Sequence, residues 1–265
     1  MKEMITRALS GAVYVAVLIL CTLYSPWTLY ALFFVFMLIG IFEFKKLVAL
    51  TDNWIYVSAV LFFGSLIHFD DINFNRFIYI SILSLFVPLI IQLFKRTGEN
   101  SQVGSFYLAF FYIVLSFVLL TKIPFLINYN SYQPMLLIGL FIIVWTNDTF
   151  AYLIGKSIGK HKLMERISPR KTVEGFVGGL IFALVAAFLL SKYTGLLELK
   201  DWLILGAITV VFGTIGDLVE SKFKREAGVK DSGSLIPGHG GILDRLDSVI
   251  FAAPFVFYYL MSIQN

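Results

Sequence analysis

The sequence predicts an all-α fold, a polytopic helical bundle integral to a membrane, from three observations. Apolar runs of spanning length recur along the chain, charge is scarce, and basic residues alternate between the segments that join the runs. Hydrophobic residues make up 58% of the 265 residues and charged ones 14%, against about 25% charged in soluble domains, and the mean hydropathy is +0.84. The runs are continuously apolar, which disfavours the ten-residue alternation of a membrane β-barrel and leaves helices, which satisfy their own backbone groups in lipid. Aromatic residues, 17% of the chain with 27 Phe, suit lipid contact and interfacial anchoring. A net charge of +4 gives no reason to propose nucleic acid. The single cysteine, Cys21, lies inside an apolar run and reads as a small buried hydrophobe, so no disulfide can form within the chain.

About 20 apolar residues cross a bilayer, and on that ruler nine spans are expected. They run from Ala8 to Tyr24, Thr28 to Ile41, Trp54 to Phe69, Phe77 to Phe94, Ser105 to Leu120, Met135 to Ile154, Val173 to Leu190, Trp202 to Val219 and Leu246 to Ile263. The first follows a basic start, but no small-residue cleavage site follows it, so it reads as a retained helix. Ser25-Pro26 reads as a tight turn, and Asp70-Asp71-Ile72-Asn73 as a small acidic one. Cytoplasmic loops hold the excess of Lys and Arg. With these spans, 17 of the 21 basic residues fall on the side of the N-terminus. The N-terminus is therefore expected in the cytoplasm and the C-terminus on the opposite side of the cell (inner) membrane. Residues 1–130 read as a scaffold of five helices, and residues 131–265 as four helices with two long cytoplasmic loops.

The chemistry concentrates in that second part. Asp217, Glu220, Ser221 and Lys224 follow one another at helical spacing and share a face. The bland reading is a solvated stripe where a helix leaves the membrane. Asp217 lies still within the apolar run, where a carboxylate calls for a partner, and Gly213 and Gly216 would let another helix or a ligand approach closely. Asp244 and Asp247 stand at i and i+3 as the ninth helix begins, either as caps or as part of a hard-oxygen cluster with Asp217. Such a cluster suits Mg²⁺, which takes one or two carboxylates and completes its shell with water and phosphate oxygens. Zinc is disfavoured, since cysteine ligands are lacking and His68, His161 and His239 show no paired spacing. Between the acids, Lys230-Asp231-Ser232-Gly233 and Gly238-His239-Gly240-Gly241 form either a flexible turn or an anion-binding loop of backbone N–H groups.

The companion loop carries Lys156, Lys160, His161, Lys162, Arg166, Arg170 and Lys171, a pattern that topology and anionic lipid alone can explain. In Ser168-Pro169-Arg170-Lys171-Thr172-Val173-Glu174-Gly175, the proline is expected to open a helix on which Lys171 and Glu174 share a face. Asn147-Asp148-Thr149 reads as a polar interruption of the sixth helix, and Asp148 at that depth again calls for a partner. Carboxylates for a metal, bases for phosphate and access to lipid thus converge, a sufficient kit for phosphoryl-type transfer.

At this point the chain resembles a known family. Ser221, Phe223, Lys224, Arg225, Lys230, Asp231, Gly233, Ile236, Pro237, His239, Gly240, Gly241, Ile242, Asp244, Arg245, Leu246 and Asp247 fill every defined position of the signature of the phosphatidate cytidylyltransferases, or CDP-diacylglycerol synthases. Ser168 to Gly175 resembles that family's second motif, and Asn147-Asp148 matches less sharply. The resemblance covers the last four helices; the first five match in hydropathy only. It implies an enzyme that joins CTP and phosphatidate, a membrane lipid, into CDP-diacylglycerol and pyrophosphate, with a divalent ion required and room for a second, monovalent ion such as K⁺. The expected metal ligands are Asp217, Asp244 and Asp247. Lys171, Glu174 and Asp148 are expected to complete the catalytic set. Ser221, Lys224, Arg225, Lys230, Asp231, His239, Gly240, Gly241 and Arg245 are expected to bind the substrates, facing the cytoplasm. A homodimer is compatible with the resemblance. The signature of the CDP-alcohol phosphotransferases is absent. An ion-coupled transporter or flippase using buried acids would show inverted repeats, which the sequence lacks, and would leave the glycine-loop spacing unexplained.

Overall fold

The computed structural model describes residues 2–66, 86–94, 102–127 and 131–263. Helix α1 (Lys2–Tyr24) ends where Ser25 caps α2 (Pro26–Leu47). Ser25 Oγ accepts from the Thr28 N–H at 3.2 Å, the Thr28 hydroxyl accepts from the Ser25 N–H at 3.1 Å, and Pro26 supplies the pre-set first helical position. The expected Ser25-Pro26 turn is therefore a reciprocal cap between two antiparallel spans. A short α3 (Trp54–Leu66) and α4 (Val87–Phe94) follow. Helix α5 (Gln102–Leu108) runs through a π-helical stretch, Ala109–Leu115, into α6 (Ser116–Lys122). The site-bearing half comprises α7 (Pro134–Ile158), the hairpin β1 (Lys162–Met164) and β2 (Ser168–Thr172), α8 (Val173–Thr194), α9 (Leu199–Glu226) and α10 (Leu243–Ser262).

Among the described residues, six helices are long and apolar enough to cross a membrane: Thr6–Tyr24, Pro26–Leu47, Gly104–Phe125, Pro134–Ile158, Val173–Thr194 and Leu199–Glu226. They correspond to six of the nine expected spans. The ninth expected span coincides with α10, whose first turn is charged. The third coincides with the 13-residue α3. The acidic turn at Asp70, the residue His68 and the beginning of the fourth span lie outside the described residues.

Three local expectations are corrected. Asn147 to Thr149 do not interrupt their helix; α7 is continuous through them. Pro169 opens a strand, not a helix, because β2 pairs antiparallel with β1, Lys162 opposite Thr172. The helix starts four residues later, where Thr172 Oγ1 accepts from the Gly175 N–H at 3.1 Å as its cap. The last helix begins at Leu243, placing Asp244 inside its first turn. The fold is thus helical with one small hairpin at the end of α7.

In the site-bearing half, α7 packs on α8, and α9 packs on both α8 and α10. The close approach of α9 and α10 depends on Gly213 and Gly216. A Cβ at Gly213 would lie 3.3 Å from Ser248, and one at Gly216 would overlap Phe251 and lie 2.7 Å from the Asp247 carbonyl. An aromatic core joins the two halves: Phe44 of α2 meets Phe223 of α9 at 5.2 Å and Tyr112 at 5.5 Å between ring centroids. Outward on α8, Val177, Ile181, Val185 and Leu189 are exposed, an apolar stripe at helical spacing that suits lipid.

Candidate active site

Where α7, β2, α9 and α10 meet, a cavity of 580 Å³ opens. Asp148, Asp217 and Ser248 line it from three helices, and Lys156, Lys162, Arg170 and Lys171 line it from the end of α7 and the hairpin. Lys171 is the bridge. Strand β2 carries its side chain across to Asp217, with which it forms an ion pair. Asp217 also accepts from Ser221 Oγ, one turn along the same helix face, at 3.1 Å. Both members of the ion pair keep about a third of their side chains exposed, 27% for Lys171 and 31% for Asp217, so the pair faces the cavity. Asp148 accepts from its neighbour Asn147 at 3.2 Å and stands within electrostatic range of Asp217, Lys171 and Arg245. A cavity lined by two acids and four bases suits phosphate groups and the cations that accompany them.

The second cluster lies beside it and is more tightly closed. Lys224 donates to Glu220 Oε2 at 2.6 Å and to Asp244 Oδ1 at 2.7 Å, tying α9 to α10. Asp244 Oδ2 accepts from the Ser232 N–H at 2.8 Å, the Ser232 hydroxyl at 2.9 Å and the Gly241 N–H at 2.8 Å. Four donors thus reach this carboxylate, three on Oδ2 and one on Oδ1. Asp244 is therefore the knot that ties the motif loop to α9 and α10: Oδ2 is filled by the loop, while among the described residues Oδ1 meets Lys224 alone.

Asp247, one turn further along α10, is oriented differently. Its Oδ1 accepts from the Ser248 N–H at 2.6 Å, and among the described residues no donor reaches Oδ2. It stands within electrostatic range of Asp217, Glu220, Lys224 and Lys171. Glu220 Oε1 is buried with no hydrogen-bond partner, an orphaned carboxylate oxygen beside the same acids. Among the described residues, no three His, Cys, Asp or Glu side chains cluster closely enough to hold a metal by themselves. The expected triad of Asp217, Asp244 and Asp247 is thus not gathered closely enough to hold an ion by itself, and Asp244 is the member engaged by the loop. What remains, Asp217 and Asp247 with the unpartnered Glu220 oxygen nearby, fits an ion that takes one or two carboxylates and draws its other ligands from phosphate and water.

The glycine loop is also engaged within the protein. Gly238 and Gly240 adopt positive φ, +75° and +91°, as a tight turn closing on an Ile236–Gly240 bridge requires. The N–H groups of His239 and Gly240 donate to the Ile236 carbonyl at 2.9 and 3.2 Å. Those of Ile242 and Leu243 donate to Glu43 of α2 at 3.1 and 2.9 Å. Of the four amides from Gly238 to Gly241 expected to face phosphate, those of His239, Gly240 and Gly241 are therefore used within the protein. His239 turns away to α1, its Nδ1 3.0 Å from Ser10 Oγ, and Ser10 donates to the Pro237 carbonyl at 2.9 Å.

The other expected residues sort as follows. Ser221 joins the cavity side through Asp217. Arg225 donates to the Val229 carbonyl at 3.3 Å, and with Lys230, Asp231 and Arg245 it is exposed. Glu174 does not share a face with Lys171. It accepts from the Lys160 N–H at 3.0 Å and from the His161 ring at 2.6 Å, which braces the turn leading into the hairpin. The helix start at Val173 separates the two, sending Lys171 to the cavity from the strand and Glu174 to the loop from the helix.

Glu43 escaped the sequence reading, as did the contacts of Ser10 and Ser232. The signal existed for Glu43: a carboxylate in the apolar run Ile39-Gly40-Ile41-Phe42-Glu43-Phe44, the same anomaly that marked Asp148 and Asp217. Both Glu43 and Ser10 come from the segment read as scaffold, so α1 and α2 reach the motif loop.

Comparison with known proteins agrees with the motif. A family model described as the cytidylyltransferase family matches residues 5–263. The chain is 42% identical over 183 residues to a protein of Bacillus subtilis (strain 168) named phosphatidate cytidylyltransferase, covering 67% of each chain. It is 39% identical over 234 residues to one of Staphylococcus saprophyticus so named, covering 78% of this chain and 89% of that protein. To the Staphylococcus aureus (strain COL) protein of the same name it is 38% identical over 219 residues, covering 72% and 84%. With the family model running over nearly the whole sequence and the acid-and-base cavity lying where its helices converge, this chain belongs to the cytidylyltransferase family.

Proposed function

We propose that this protein transfers the cytidylyl group of CTP to phosphatidate at the cytoplasmic face of the inner membrane, forming CDP-diacylglycerol and releasing pyrophosphate. The observation that carries the reading is the cavity, in which the Lys171–Asp217 pair and Asp148 meet Lys156, Lys162 and Arg170 at the ends of membrane-length helices. A phosphate oxygen of the lipid attacks the α-phosphorus of CTP. A new P–O bond forms, the bond from the α-phosphorus to the bridging oxygen breaks, and that oxygen leaves on pyrophosphate. A phosphate monoester is already anionic near neutral pH, so a strong general base is unnecessary, and catalysis reduces to alignment and charge compensation.

The bases lining the cavity hold the triphosphate, and Lys171, oriented by Asp217, reaches the centre. Asp217 and Asp247 would hold Mg²⁺, and the motif resemblance leaves room for a monovalent ion such as K⁺ beside it. When bound, the divalent ion neutralises phosphate charge and brings the two phosphates together. Asp244 and Lys224 act by fixing the loop and α10. The test uses purified protein in detergent micelles with phosphatidate, labelled CTP and Mg²⁺, which should yield labelled CDP-diacylglycerol and pyrophosphate, with turnover abolished by EDTA. No product across several phosphatidates and divalent ions would overturn the assignment.

A further inference from the structure

The carboxylate of Glu43 belongs to neither the sequence motif nor the cavity. It is 3% exposed, at the end of the apolar run from Ile39 to Phe44, where an acid must find donors. It finds them in the segment that leads into α10. The Ile242 N–H donates to Oε1 at 3.1 Å, and the Leu243 N–H and Ser232 hydroxyl to Oε2 at 2.9 and 3.3 Å. The first amides of a helix have no intrahelical partner, and negative charge there is favoured by the helix dipole. Glu43 thus caps α10 from another element. Ser232 stands between Glu43 and Asp244, with both carboxylates in reach of its one hydroxyl hydrogen. Two motif glycines owe their identity to the same contact: a Cβ at Gly233 or at Gly241 would run into the Glu43 side chain.

We propose that Glu43 is a positioning residue for the transfer reaction, a clamp by which α2 fixes the Ser232 loop and the first turn of α10 and so sets where Asp244, Lys224 and Asp247 stand against the cavity. The proposal rests on the cytidylyl-transfer reading for its kinetic consequence; the clamp itself is independent of it.

The experiment compares Glu43→Gln, Glu43→Asp and Gly233→Ala in the full chain in detergent. It reads turnover per folded molecule, KM for CTP, thermal unfolding, and amide hydrogen exchange of the segment from Ser232 to Leu246. Glu43→Gln keeps the volume but presents an NH₂ group where donors already point. It should lower kcat about ten- to hundredfold with KM for CTP within about twofold, the pattern of a misplaced reacting centre, and speed exchange at Ile242 and Leu243. Gly233→Ala keeps the carboxylate but displaces it, and should reproduce the kcat loss. Glu43→Asp, which keeps the charge at shorter reach, should recover part of it. Unchanged turnover per folded molecule in both Glu43→Gln and Gly233→Ala, or a loss explained wholly by the unfolded fraction, would overturn the proposal. Wild-type protein without turnover would instead sink the functional reading, and the exchange measurement would still decide the clamp: equal protection in wild type and Glu43→Gln overturns it.

Discussion

Asp217 of α9 and Asp244 of α10 are the same residue type on adjoining helices and are held in different ways. Asp217 faces the cavity, with Lys171 and Ser221 as partners, so Asp217→Asn should abolish most turnover while leaving thermal unfolding in detergent close to wild type. Asp244 receives four donors, two of them loop amides. In Asp244→Asn an NH₂ group meets some of those donors, and each buried group left unpaired costs about 1–3 kcal/mol. That variant should lose both turnover and unfolding temperature. Lys224→Met should be worse still, because it strands Glu220 and Asp244 without their cation, at about 3–5 kcal/mol for a broken buried pair. Unfolding curves beside turnover for the three variants check the ranking. The sequence spacing identified all three residues as important, but one-dimensional spacing cannot show how many donors surround a carboxylate, and so could not separate Asp244 from Asp217.

Among elements, the hairpin and the α9–α10 contact position the chemistry. Glu174 holds the Lys160–His161 turn, which leads directly into β1 and thus into the strand carrying Arg170 and Lys171. Glu174→Ala should loosen this arm, raise KM for CTP severalfold, and change the unfolding temperature little, since the residue is not part of the core. Initial-rate kinetics over a range of CTP concentrations measure the effect. Gly216→Val would force α9 away from Phe251 and from the Asp247 backbone. Overpacking of this kind costs about 1–3 kcal/mol, and because the displaced element carries Asp247, activity should fall further than stability. Gly213 and Gly216 were legible in the sequence as a close-approach surface. The hairpin was not, because Pro169 suits both the first turn of a helix and the start of a strand, and only the pairing partner chooses between them.

For the whole molecule, the testable property is its orientation across the membrane. From the charge count, the segment around Glu165 is expected in the cytoplasm and the α8–α9 connection at Glu198 outside. With Cys21, the chain's one cysteine, replaced by serine, Glu165→Cys should react with an impermeant thiol reagent only when the cytoplasmic face is exposed. Glu198→Cys should react from the outside in intact cells. Both positions are solvent-exposed. Labelling in the reverse sense would invert the topology and detach the cavity from the cytoplasmic supply of CTP.

Hydrophobic runs and their punctuation were sufficient to determine the helical membrane class, the Ser25-Pro26 turn, the polar stripe on α9 and the family motif, because each depends on neighbours in sequence. Tertiary structure decided the rest. It sent Lys171 to Asp217 and Glu174 to the loop, tied Asp244 and three glycine-loop amides to protein partners, and brought Glu43 and Ser10 from the first two helices to the motif. These outcomes depend on which donor reaches which acceptor across elements far apart in the chain, and a buried carboxylate takes whatever donors the packed fold brings to it.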